Sequence, residues 1–384
     1  LFGAAFFLIL FLAAITSSLS MLQPTKAFLE ESLGVSRKVS TTIVTAWGLV
    51  GNFFVLWHSR KIIALDTIDF WVGTFFILVV AAVQTDMKRL LAYSSVENIG
   101  VLFTGIGLAI VFHGVGMTEL AALALIAVLY HSLNHAFMKS LLFLGTGAVL
   151  HATGERNLGR LGGLIHRMPW AAWLTLVGVL AIAGLPPLNG FVSEWLLLQT
   201  FLFSHEVPQP FVNMLLPLGA AIVALAAALA GYVMVKFFGI VFLGQPREPS
   251  LAVAHDVDGF EKAGLVWLAI GCVLLGVLPN QVIHALGAAT EQLVGAAPNL
   301  AGQSWWMLAP LTERDVSYAP LVLLAVIVAV VAATFLIVRV VYRRPVRRAP
   351  TWDCGFGRLD PRMQDTAEGF GQPIRHIFAS FFHL

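Results

Sequence analysis

Two histidines and a lysine, His131, His135 and Lys139, recur at four-residue intervals in the middle of an apolar run from Leu120 to Leu150. On an α-helix, positions four apart drift by about 40°, so the three side chains share one face over roughly 12 Å of rise. Imidazole changes charge near neutrality and has two ring nitrogens, so it can hand protons along. A buried lysine is pushed toward its neutral form by desolvation and back toward the cation by a nearby carboxylate. A moving partner can therefore load and unload it. Ionisable groups at membrane depth are costly and persist where they face a bundle interior or a wet cavity. This face reads as part of a proton path, with Lys139 as central carrier and His131 and His135 as relays. The plainer readings are a snorkelling or structurally paired lysine and histidines that serve helix packing. Histidines at i and i+4 also suit a metal, but no third ligand stands near, so no metal is assigned.

Other candidates lie along the chain. Glu194 follows Gly184-Leu-Pro-Pro-Leu-Asn-Gly190, a stretch whose prolines remove donors and whose glycines loosen the backbone. Irregular backbone at membrane depth is tolerated where it is buried in protein or lines a cavity, so Glu194 fits an exit carrier there. The alternative is a solvated carboxylate near Trp195. Lys236 lies toward one end of its apolar run and reads equally as path or snorkel. Glu97 and Asn98 read as a polar input to the path or as an interhelical hydrogen bond. Lys88 fits the mouth of the path, although simple charge bias also explains it. His113 and Glu119 flank a loop and read as surface groups.

The elements that must hold these residues are membrane helices. The chain has 384 residues, 58% hydrophobic and 11% charged, with a mean hydropathy of +0.85. Soluble domains carry about 25% charged residues. The fold class is all-α and polytopic, with candidate spans at about 3–28, 39–58, 66–84, 90–113, 119–150, 169–203, 211–243, 263–286 and 319–342. The sixth is discontinuous near 184–190. Basic residues (Arg37 and Lys38, Lys88 and Arg89, Arg156 to Arg167, Arg247, Arg339 to Arg348) follow alternate spans and so share a side, which the positive-inside rule makes cytoplasmic. This orientation places the protein in the inner (plasma) membrane with its tail, 343–384, in the cytoplasm. The basic stretch Tyr342 to Arg348 suits anionic lipid of the bilayer. The tail reads as a surface extension or as a docking segment. Gly145 and Gly147 read as helix packing. Two cysteines and no CxxC exclude a cluster or zinc site, and no nucleotide-binding glycine motif or nucleic-acid signature occurs. A start inside an apolar run, without Met, reads as a fragment or a mature piece.

From about Val83 onward the chain resembles the antiporter-like proton-pumping subunits of respiratory complex I and membrane hydrogenases, of the hydrogenase-4 component B and formate hydrogenlyase subunit 3 type. The likeness rests on Thr85-Asp-Met-Lys-Arg-Leu-Leu-Ala-Tyr-Ser-Ser-Val-Glu-Asn-Ile-Gly100, on His131 to Leu144, on Gly184 to Trp195, and on Thr351-Trp-Asp-Cys-Gly-Phe-Gly357 with Arg362-Met-Gln364. It implies a mid-membrane lysine at Lys139 and an ionisable residue at Glu194. It also implies proton translocation at 81–342 with no cofactor in this chain, and redox chemistry in partner membrane and peripheral subunits.

Residues 1–80 are similar to something else. Phe11-Leu-Ala-Ala-Ile-Thr-Ser-Ser-Leu-Ser-Met-Leu-Gln-Pro24, Phe28 to Glu31 and Leu65-Asp-Thr-Ile-Asp-Phe-Trp71 resemble the eighth to tenth helices of the sodium:neurotransmitter symporter family. That likeness implies half of a sodium site at Ala13, Thr16 and Ser17, with its other half absent, and a seam near 71–84. A fragment of a sodium-coupled symporter, or a chimeric chain without autonomous activity, is the alternative function.

Overall fold

A computed structural model of the chain describes residues 79–204, 207–297, 305–309, 317–342 and most of 352–379, together with Ser36 and Val39. The first two expected spans and most of the third lie outside the described residues, as do Ala13, Thr16 and Ser17. Residues 79–83 form a helical turn. The helices that follow are α1 (Met87–Gly114), α2 (Thr118–Thr153), α3 (Pro169–Ile182), α4 (Asn189–Leu202), α5 (Pro210–Phe242), α6 (Gly259–Val277), α7 (Pro279–Val294), α8 (Pro320–Tyr342) and α9 (Ala367–Ile377). Among the described residues, five helices are long and apolar enough to cross a membrane: α1, α2, α5, α6 and α8. The only β-pairings there are two isolated bridges. The all-helical reading holds.

Local chemistry sets the helix boundaries. Asp86 opens α1 by accepting from the Lys88 and Arg89 amides at 2.9 and 3.1 Å. Gly154, at φ 69°, closes α2 in the left-handed conformation that glycine adopts without strain. The expected discontinuity is present as α3, an irregular 183–188 and α4. The expected single span 263–286 is two helices, because Pro279 ends α6 and starts α7. Proline has no N–H for the helix behind it, and its fixed φ suits a first turn.

α3 begins with Pro169 and draws its cap from far along the chain. The Asp256 carboxylate accepts from the Trp170 and Ala171 amides at 2.8 and 3.1 Å. It thereby pairs amides that the helix leaves free and places a negative charge at the helix N-terminus. Asp256→Ala is expected to cost about 1–2 kcal/mol, seen as a lower midpoint in detergent-solubilised thermal unfolding.

α2 is the hub, packing against α1, α3, α4, α6 and α7. Gly145 of α2 leaves room for the Thr175 hydroxyl of α3, whereas Gly147 faces open space. Two apolar cores flank the middle of the bundle. One gathers Leu90 and Leu91 with Met138, Leu141, Leu142 and Val149, and with Val233, Phe237 and Phe242. The other gathers Val101 to Phe112, Leu120 to Tyr130 and Val192 to Phe201. Residues 92–100 of α1, 131–137 of α2 and the interrupted backbone before α4 fall at the gap between them.

The basic loops meet at one end. The Met87 amide donates to the Arg156 carbonyl at 3.0 Å, and the Gly163 amide to that of Leu243 at 2.9 Å. Arg156 pairs with Asp86 at 3.0 Å. In the same loop the Asn157 amide, then the Arg156 amide, holds the Glu155 carboxyl below the usual carboxylate range. The tail does not trail away. Gln364 makes two hydrogen bonds with the Gln245 backbone, at 2.8 and 2.9 Å, and Tyr232 donates to the Phe370 carbonyl. Ala367 and Ile374 of α9 are buried.

Candidate functional site: a buried polar layer

Between the two apolar cores sits a layer of polar side chains from α1, α2 and α4. Glu97 and Asn98 of α1, His131, Asn134 and Lys139 of α2, and Asn189 and Ser193 of α4 are all buried, while His135 and Glu194 are half-buried. Buried polar groups of this kind persist only with partners, and most here have them.

Lys139 points into the bundle, 5% exposed, and its Nζ donates to the Leu91 carbonyl of α1 at 2.9 Å. It does not snorkel. Glu97 lies within Coulombic reach of Lys139, and Glu194 within reach of Glu97. His135 in turn feels both Lys139 and His131. Glu194, Glu97, Lys139, His135 and His131 therefore share one buried to half-buried layer of α1, α2 and α4. The imidazoles stack with centroids 6.3 Å apart and planes at 11°, as the four-residue spacing requires.

Hydrogen bonds tie His131 to both neighbouring helices. Its Nδ1 lies 2.9 Å from Ser193 Oγ and its Nε2 3.1 Å from Asn98 Oδ1. Asn98 also donates to the Ser94 carbonyl at 2.8 Å and to the Glu97 carboxylate. Asn134 donates to the Asn189 carbonyl at 2.7 Å and to Ser193 Oγ at 3.0 Å. His135 Nε2 is buried without a protein partner.

The irregular backbone before α4 supports the layer by close approach. Gly184, at φ 65°, packs its bare Cα against the Glu194 carboxyl, and Gly190 packs against the Ala181 carbonyl of α3. A side chain at either position would displace these groups.

The remaining candidates lie elsewhere. Lys236 is wholly buried toward the basic-loop end, donating to the Ala82 and Gln84 carbonyls at 2.7 and 2.6 Å. These carbonyls close the helical turn at 79–83, so Lys236 acts as a cap there and does not reach outward. Glu368 and Arg375 of α9 are its charged neighbours. Lys88 is exposed in the first turn of α1, outside the layer, and His113 and Glu119 are exposed too. Among the described residues no group of three metal-ligating side chains occurs. Ser193, Asn134 and Asn189 do not stand out as a set in the sequence, because small polar residues at helical spacing also serve ordinary packing. Asn134 at three residues from His131 was the available signal.

Such a layer can hold a proton on any of several groups, shift it among them by Coulombic bias, and keep bulk solvent out. Several known proteins resemble the chain as a whole. Formate hydrogenlyase subunit 3 of Escherichia coli (strain K12) is 33% identical over 91% of this chain and 54% of its own length. Hydrogenase-4 component B of the same organism is 32% identical over 86% and 48%. The chain thus spans about half the length of the curated relatives it matches. A solved structure, that of the membrane-bound sulfane sulfur reductase, an archaeal respiratory membrane complex, superposes with a TM-score of 0.67 at 26% identity, covering 84% of this chain and 48% of that one.

The family signature described as NADH:quinone oxidoreductase/Mrp antiporter, TM matches residues 4–216. That match runs from residue 4 through 80 and across 71–84, so the symporter likeness and the seam find no support. The Ala-Ile-Thr-Ser-Ser run behind that likeness is the small, polar composition common to packed membrane helices. By a match over more than half its length, the chain belongs to the NADH:quinone oxidoreductase/Mrp antiporter transmembrane family.

Proposed function

We propose that this chain is a proton-translocating membrane subunit of a hydrogenase- or NADH:quinone oxidoreductase-type assembly, with 81–342 as its proton-carrying part. Redox chemistry belongs to partner membrane and peripheral subunits, in keeping with the relatives named above. The observation that carries this reading is the buried layer that sets Glu97, Lys139 and His131, with the half-buried His135 and Glu194, between two apolar cores. Ionisable groups are retained at such depth mainly to move charge. Lys139 is the central carrier and Glu194 the terminal one beside the break. Buried polar atoms without a protein partner, His135 Nε2 and Ser94 Oγ, are where water would complete the path. Lys236 stands at the carbonyls of 82 and 84 that precede α1, with Lys88 exposed in the first turn of that helix. The basic loops and the tail, 343–384, face the cytoplasm of a cell whose inner membrane holds the subunit.

The test is proton pumping by the assembled complex in sealed vesicles. Glu194→Gln keeps shape and hydrogen bonding but cannot release a proton. It should cut acidification on the order of 10²-fold, the usual contribution of a positioned proton-transfer group, with the complex still assembled. Wild-type pumping by that variant would remove Glu194 from the path.

A further inference from the structure

The hydrogen bonds around His131 carry more than a relay role requires. Asn98 Nδ2 donates to the Ser94 carbonyl and the Glu97 carboxylate, so Asn98 must present Oδ1 to His131. The flipped amide would set oxygen against the Ser94 carbonyl in every state, and against the Glu97 carboxylate whenever it is ionised. An amide oxygen only accepts, so His131 Nε2 carries a hydrogen in every state. It cannot pass that hydrogen on, because an amide oxygen does not hold a proton near neutrality. Exchange is confined to Nδ1.

Nδ1 faces the Ser193 hydroxyl, and that hydroxyl has two acceptors in reach: Nδ1 at 2.9 Å and the Gly190 carbonyl at 3.2 Å. With neutral imidazole, Ser193 donates to Nδ1. With imidazolium, Nδ1–H donates to Ser193 Oγ and the hydroxyl turns to Gly190. Asn134 donates to the same oxygen at 3.0 Å in both states, so the oxygen never exceeds two acceptor bonds. Both charge states are fully paired with no heavy atom moved. Gly190 and Ser193 belong to the first turn of α4, just past the break, so the charge on His131 is felt as a hydrogen bond gained or lost by that backbone.

Resting on the proton-translocation reading, we propose that His131 is a charge switch beside the proton wire and not a link in it, loaded through Nδ1 alone and positioned by Asn98 and Ser193. His135, parallel to it and with an unpartnered Nε2, is the imidazole that passes protons. Charge on His131 opposes charge on His135, which lies between it and Lys139 on the same helix face. The other ionisable groups around it are Glu97 of α1 and Glu194 of α4. α3 carries none. α6 brings Glu261 and Lys262 in its first turn and the buried Cys272, and α7 brings the exposed His284 and Glu291.

Solid-state NMR of the intact protein in lipid, labelled with ¹⁵N-histidine and assigned against His131→Gln, reads the nitrogens directly. The expected neutral form has hydrogen on Nε2 and a bare Nδ1; hydrogen on Nδ1 with a bare Nε2 overturns the proposal. In the assembled complex, Ser193→Thr keeps the hydroxyl and should keep the pH profile of pumping. Ser193→Ala removes the acceptor for the imidazolium, and a charge-assisted bond is the stronger of the two lost. The acid limb of the profile should move to lower pH by roughly one unit; an unmoved limb overturns the switch. If the wild type pumps no protons, the functional reading fails, while the nitrogen assignment is still judged by the spectrum.

Discussion

Lys139→Arg is expected to abolish proton pumping while leaving a positive charge in place. The guanidinium keeps its proton throughout the accessible range, whereas a buried ammonium can give its proton up. An arginine can still donate to the Leu91 carbonyl and offset Glu97, so the electrostatic role of Lys139 survives and its exchange role does not. The expected loss is 10²-fold or more in the rate of vesicle acidification. Lys139→Met provides the contrast. It removes the Lys139 donor from the Leu91 carbonyl and the positive charge that offsets Glu97, and losing a hydrogen bond to a charged group costs about 1.5–3 kcal/mol. Both variants should fail to pump, but only the methionine variant should also lose yield and thermal stability. A pumping Lys139→Arg would show that Lys139 supplies fixed charge and nothing else.

Gly190→Ala is expected to damage the same layer through the main chain. The new methyl would collide with the Ala181 carbonyl and approach Met138 Sδ at 3.6 Å. A thioether can turn aside, but a helix carbonyl cannot, so α3 and α4 must separate. Overpacking of this kind costs roughly 1–3 kcal/mol. The Gly190 carbonyl also accepts from Ser193, so the shift reaches His131. A melting point several degrees lower, with pumping reduced further than the remaining folded fraction explains, is the expected result. Wild-type stability would show that the two helices are not held at this contact.

How far the sequence discloses this arrangement depends on what each feature rests on. α1, α2, α5 and α8 follow from uninterrupted apolar runs, and the break before α4 from Gly184 to Gly190. The span at 263–286 misleads because apolarity continues through Pro279, where the backbone cannot. His131, His135 and Lys139 are legible because their geometry is internal to one helix. Asn98 is legible as an interhelical hydrogen bonder but its partner is not, and Ser193 is not legible at all, since both depend on which helices become neighbours. Lys236 looks free to reach solvent until the carbonyls of 82 and 84 are found against it.

The docking of α9 has a consequence for the order of assembly. Its contacts are with residues 82–83, Tyr232 and, through Gln364, Gln245. Every one of these is made by the ribosome before α9 exists. The end of the bundle that holds Lys236 can therefore close only once α9 has been made, after α1 and α5 have been synthesised, so the seal at this end follows the helices it covers.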